Sequence, residues 1–174
     1  MSEKFMFLPV SMIPQQSIVE VRKCNDFTSR YGLQLTDQEI HLLDEKRKEA
    51  LERNGRIEFM GGILQKLIIE FADSPYIYKD NYVSTLEELQ EDFYYFKNES
   101  LEDITDDELI KLMKEHFDHR CQGSLELLRG TVLENICRDT RAKSKEYTEQ
   151  DGYNDTYNFF FQRYYDETLG QEKD

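Results

Sequence analysis

From Gly55 to Tyr76 the chain reads GRIEFMGGILQKLIIEFADSPY, its most apolar run. Phe59, Met60, Ile63, Leu64, Leu67, Ile68, Ile69 and Phe71 recur in pairs or triplets about four residues apart, the spacing of a helix. The apolar arc is wider than one stripe, and a helix apolar on most sides is enclosed by others. A central helix over about 57–72 is therefore predicted, with the rest of the chain packed around it. This identifies a core and no activity.

The surrounding elements read as helices too. A first helix is expected from Ser17 to Tyr31, with Val21, Cys24, Phe27 and Tyr31 inward and Gly32 as its left-handed terminator. Leu33 and Leu35 should pack across the turn. Thr36-Asp37-Gln38-Glu39, Ser84-Thr85-Leu86-Glu87 and Thr105-Asp106-Asp107-Glu108 each have the form of a capping box, in which threonine or serine and glutamate exchange hydrogen bonds with each other's backbone. Each precedes a helical apolar pattern: Ile40, Leu43, Ala50 and Leu51, then Leu86, Leu89, Phe93 and Phe96, then Leu109, Leu112, Met113 and Phe117. Gly123-Ser124 opens a last pattern through Leu125, Leu128, Val132, Ile136 and Cys137. The expectation is an all-α domain, an irregular bundle of six or seven helices. A single domain over 1–174 is expected, with 1–13 as an N-terminal arm and 151–174 as an aromatic-rich segment that docks on the body or mediates a homodimer.

Gly61-Gly62 interrupts the central pattern, and glycine costs a helix roughly 1 kcal/mol each. The pair can start the helix, allow a close backbone crossing, or leave an anion site at a helix N-terminus. Glu58 beside it argues against the last.

Charge narrows the function classes. Twenty-two basic residues against thirty-six acidic ones give −14. That field repels nucleic acid and anionic membranes and suits a basic protein partner. Between Ser84 and Asp118 twelve acids face three lysines, a local balance of −9. Glu87, Glu91 and Asp92 are the expected contacts of an acidic face. Cys24, Cys121 and Cys137 are odd in number and form no Cys-x-x-Cys, which points to reduced thiols and a cytoplasmic protein. No run approaches the roughly 18 apolar residues of a membrane span.

Catalytic signatures are missing: there is no Gly-x-Ser-x-Gly, no Walker A loop and no dinucleotide fingerprint. Glu115, His116, His119 and Cys121 make the one metal-like cluster, but zinc needs three or four converging ligands and no second cluster completes the set. Neither metal nor cofactor is expected. Cys121 before Gln122-Gly123-Ser124 lies near a helix N-terminus, which can lower a thiol pKa, although a small buried cysteine is the simpler reading.

Four phrases carry a resemblance: Gly55-Arg56-Ile57-Glu58-Phe59 with Gly61-Gly62-Ile63-Leu64; Asp73-Ser74-Pro75-Tyr76; Phe93-Tyr94-Tyr95-Phe96-Lys97-Asn98-Glu99; and Cys121-Gln122-Gly123-Ser124-Leu125-Glu126. Over about residues 8 to 141 the chain resembles domain-of-unknown-function family 6323, of anaerobic Gram-positive bacteria. The resemblance implies a bacterial cytosolic protein and no substrate.

Two functions follow as expectations. The first is a non-enzymatic interaction or regulatory protein whose acidic helices meet a basic partner. The alternative is a small-ligand binder or enzyme with a polar pocket beside the central helix, formed by Glu58, Asp73, Lys97, Asn98 and Asp118.

Overall fold

Two of the three capping boxes form as read, and they set where two helices begin. In a computed structural model that describes residues 13–99 and 103–147, with side chains placed over 16–99 and 103–142, the Thr36 hydroxyl accepts from the Glu39 amide at 3.3 Å. The Glu39 carboxylate in return accepts from the Thr36 amide at 2.8 Å. Thr105 and Glu108 do the same at 3.3 and 3.0 Å. These boxes open helix α2 (Asp37–Asn54) and helix α5 (Asp106–His119).

Helix α1 (Ile13–Thr28) precedes them, starts four residues earlier than expected, and tightens into a 3₁₀ turn over Ser29–Tyr31. The tightening turns Tyr31 out to solvent, so only the Val21 and Cys24 part of the expected stripe is buried. Gly32, at φ 74°, reverses the chain. Leu33 and Leu35 fold back into the core, and the Asn25 side-chain amide pairs with both backbone groups of Leu35 at 2.9 Å.

The central helix α3 is shorter than predicted, Gly62–Phe71. Ile63, Leu64, Leu67, Ile68 and Phe71 are all buried, and α3 packs on α1, α2, α5 and the following helix α4. The enclosed rod is thus present. Residues 57–61 are not part of it. Met60 adopts φ 54° and Gly62 φ 53°, left-handed values that no run of α-helix passes through. Ile57, Phe59 and Met60 are exposed at 82%, 83% and 57%, and Ile69 also faces outward.

Helix α4 (Tyr82–Glu99) follows a 3₁₀ turn at Lys79–Asn81. The Ser84 box does not form. Helix α4 is already under way at Tyr82, and the Ser84 hydroxyl instead donates to the Asn81 carbonyl at 3.1 Å. Leu86, Leu89, Phe93 and Phe96 are buried as expected.

Helix α6 begins at Leu125–Leu127, with the Ser124 hydroxyl accepting from the Leu127 amide. It widens to a π-helical stretch, Leu128–Leu133, and continues as Glu134–Tyr147. Leu128, Val132, Leu133, Ile136 and Cys137 are buried.

The molecule is all-α, a helical bundle with no strand among the described residues. It divides into two units, Met1–Cys137 and Arg138–Asp174, and everything described below lies in the first. The arm expected over 1–13 and the aromatic segment over 151–174 lie outside the described residues, apart from Ile13. No described helix is long and apolar enough to cross a membrane.

Candidate functional site

The segment between α2 and α3 alternates: Ile57 and Phe59 point to solvent while Glu58 between them points in. A two-residue period is that of extended chain, not helix. Glu58 is the anchor. Its Oε1 accepts from the Tyr94 hydroxyl at 2.8 Å, the Ile63 amide at 3.1 Å and Arg47 Nη1 at 3.3 Å. Its Oε2 accepts from Arg56 Nε at 2.8 Å. The Ile63 amide is one of the unpaired donors at the start of α3, so the anion at this helix N-terminus is the protein's own carboxylate.

A buried charge network extends from this point. Arg47 bonds the Asp44 carboxylate and donates to the Met60 carbonyl at 2.9 Å, fixing the far side of the loop. Asp44 also accepts from Ser17 and pairs with Lys48. Arg56 reaches Asp106 in the first turn of α5 at 2.5 Å. Lys97 pairs with the same Asp106 at 3.4 Å and donates to the Ile104 carbonyl. The Phe59 carbonyl accepts from the Gly62 amide at 3.1 Å, closing a turn. Burial, followed by the neighbouring Glu58 charge, pushes the Tyr94 hydroxyl well above the usual phenol range, so it stays a donor.

Gly62 is required twice over. Its φ of 53° suits glycine, and a Cβ placed there would stand 2.3 Å from Glu58 Oε1 and 2.4 Å from Arg47 Nη1. Any side chain at 62 would force that contact apart.

The five polar residues expected around a pocket separate. Glu58 and Lys97 belong to the network just described. Asp73 and Asp118 both pair with Lys114, at 2.9 and 2.6 Å, and Ser74 donates to Asp118 at 2.5 Å. Asn98 is exposed. Of the three expected partner contacts, Glu91 is exposed and Glu87 pairs with Lys46. Asp92 is only 2% exposed and accepts from Arg129 at 2.5 Å.

Near the loop, α2 and α4 leave a cleft of about 610 Å³. Glu49, Glu52 and Arg53 form one wall, Gln90, Glu91 and Tyr94 the other, and none of the five pocket candidates lines it. Tyr94 therefore joins cleft and loop.

His116 is buried while His119 is 59% exposed and pairs with Glu115, so the metal-like cluster does not converge. No group of three His, Cys, Asp or Glu suited to a metal occurs among the described residues. Cys121 is buried, and burial pushes its thiol up rather than down. That is the opposite of nucleophile activation.

A family model, described as a family of unknown function (DUF6323), matches residues 20–146, most of the chain. The chain belongs to DUF6323. No curated protein and no solved structure matches it. In this DUF6323 chain, sequence reading selected Glu58 and Gly61-Gly62 but missed Arg47, Tyr94 and the loop they hold. The alternation at Ile57, Glu58 and Phe59, followed at once by two glycines, was the available signal.

Proposed function

We propose that this protein is a non-enzymatic interaction protein that presents Ile57, Phe59 and Met60 to a protein partner. One observation carries the reading: large apolar side chains stand more than 80% exposed at Ile57 and Phe59 on a loop whose backbone is clamped from beneath. Solvated apolar side chains in a floppy loop would pay an ordering cost on binding, and a clamped loop avoids most of it. Enclosing side chains that stand this far into solvent calls for a concave apolar pocket on the partner. A flat face would not enclose them.

The polar residues support the same reading over an enzyme. An ionised carboxylate has about four lone-pair positions, and Glu58 already accepts four hydrogen bonds. Three of these fall on Oε1 and the fourth ties Oε2 to Arg56, so the carboxylate is committed to holding the loop. The enclosed charges of the network also balance, Asp44, Glu58 and Asp106 against Arg47, Arg56 and Lys97, with Lys48 joining Asp44 from the surface. With the whole chain at −14, the partner's pocket carries a basic rim.

The test is site-specific photo-crosslinking in native extract. A crosslinker at position 57 should give a saturable adduct, competed by added wild-type protein and not by Phe59→Ala. A crosslinker at exposed Tyr95 should not give that adduct. Losing a buried aromatic anchor weakens binding by about 2 kcal/mol or more, roughly thirtyfold. Equal competition by Phe59→Ala, or the same adduct from both positions, would refute the proposal.

A further inference from the structure

We infer that the segment Phe5–Val10 of this same chain lies over Ile57, Phe59 and Met60, as an intramolecular cover that a partner must displace. The contact itself needs no partner, while the regulation it gives rests on the interaction reading above. Three observations carry it.

First, the loop presents a surface that calls for a cover. Ile57, Phe59 and Met60 stand 82%, 83% and 57% exposed on one short stretch. Single apolar side chains at a surface are ordinary, but three together on a clamped backbone make a patch that water solvates poorly.

Second, helix α1 delivers the segment to that place. A Cβ built at Gly61 would stand 3.2 Å from Val21 Cγ2, so α1 passes the end of the loop at Val21. One turn nearer the start of α1, Ser17 donates to Asp44 at 3.1 Å, and Arg47 joins that carboxylate to the Met60 carbonyl, at 3.2 and 2.9 Å. Ser17 and Val21 are thus successive turns beside the loop. Ile13 opens the helix one turn before Ser17, about 6 Å along the axis. Val10 is three residues before Ile13, a reach of about 10 Å when extended. The chain entering α1 therefore arrives next to Met60, and no long detour separates Phe5–Val10 from the loop.

Third, the composition fits. Phe5, Met6, Phe7, Leu8 and Val10 carry no charge, so the −14 of the chain does not repel them, and the preceding Glu3 and Lys4 cancel. Pro9 keeps Leu8 out of the helical region, and Pro14 suits the first turn of a helix, so Phe5–Leu8 reads as extended chain and not as more of α1. In extended chain alternate side chains share a face, which lets Phe5 and Phe7 meet Ile57 and Phe59 together. A second copy fits less well as the occupant. Two chains at −14 repel each other, whereas the link to α1 holds the chain's own segment at high local concentration.

The test uses the purified full chain with hydrogen peroxide as a footprinting probe. Peroxide gives one oxygen to an accessible methionine thioether and leaves as water. The initial rate at Met60 is read by peptide mass spectrometry, with the fully buried Met113 as reference. With the segment seated in about nine molecules of ten, Phe5→Ser with Phe7→Ser should speed oxidation of Met60 about tenfold and leave Met113 unchanged. Far-UV circular dichroism would verify that the double variant keeps its helices. In the otherwise wild-type protein, a photo-crosslinker at position 57 should join a residue within 5–10 of its own chain, which mixed isotope labels distinguish from a second copy. Equal Met60 rates, a crosslink between chains, or one that falls elsewhere would overturn the inference. The partner reading fails separately. A Met60 released by the double variant, with no adduct from extract, keeps the cover and removes the partner. An adduct from extract together with equal Met60 rates keeps the partner and removes the cover.

Discussion

Glu58 is where the chain commits its local chemistry. One buried carboxylate caps α3, orders the loop and engages two arginines and a tyrosine. Glu58→Gln keeps the shape but removes the charge and one acceptor oxygen, leaving Asp44 on Arg47 and Asp106 on Arg56. Losing one charge-assisted contact while another remains should cost about 2 kcal/mol. Tyr94→Phe removes a single hydrogen bond and should cost about 1 kcal/mol. Urea unfolding of both variants checks the order. The Ile63 amide should exchange faster in Glu58→Ala, which removes both acceptor oxygens, than in Glu58→Gln, whose amide oxygen can keep the Oε1 place. A Glu58→Gln protein as stable as wild type would mean that the clamp is incidental. The sequence singled out Glu58 beside the glycine pair, but not the partners that hold it. Its partners come from α2 and α4, eleven residues before and thirty-six after, and no spacing rule links such positions.

At the scale of elements, the helix interiors were legible and some of the ends were not. Apolar periodicity found the buried faces of α2 to α5, because a 3.6-residue repeat survives whatever the element packs against. It misread 57–61, because apolar residues on an exposed loop imitate a core stripe when glycines are passed over. The three capping boxes are a controlled comparison. Thr36 and Thr105 accept from the third residue on, whereas Ser84 sits inside a helix that began two residues earlier. Thr36→Ala and Thr105→Ala should each cost about 1 kcal/mol. Ser84→Ala should lie within a few tenths of zero, or be slightly stabilising, since alanine is the better residue inside a helix. Urea midpoints at constant m-value decide it, and a loss at Ser84 equal to the other two would contradict the observed start of α4. Why Ser84-Thr85-Leu86-Glu87 does not act as a start is physical: Thr85 and Leu86 are buried, and the 3₁₀ turn at Lys79–Asn81 already feeds the helix.

At the scale of the whole molecule, charge counted along the chain is a poor guide to charge on the surface. The −9 balance over 84–118 is a local sum, and bases from α2, α3 and α6 and the α2–α3 loop cancel much of it through Lys46, Lys66, Arg129 and Arg56. Two buried groups should instead govern how stability follows pH, with opposite signs. Burial lowers His116 from 6.5 to about 4, Arg120 adding to the effect. Its neutral form is the one the fold accepts, so its contribution is intact above pH 6.5 and is lost as pH falls through 4. Burial raises Asp92 from 3.8 to about 6 against the opposing pull of Arg129, with Glu88 and Glu91 adding to the rise. Its protonated form is favoured in the fold, so its contribution is present below 3.8 and lost as pH rises through 6. Each shift spans a little over two pH units, about 3 kcal/mol in full, and between pH 4 and 6 the two nearly cancel. Removing either partner should expose the other. Relative to wild type, Asp92→Asn should lose stability as pH drops from 6 to 4, and His116→Gln should gain it. Groups that touch neither residue contribute alike to all three proteins and drop out of the difference. Parallel unfolding curves for wild type and both variants at pH 6 and pH 4.5 would show that neither group carries a shifted proton, and would return the pH dependence to the surface acids.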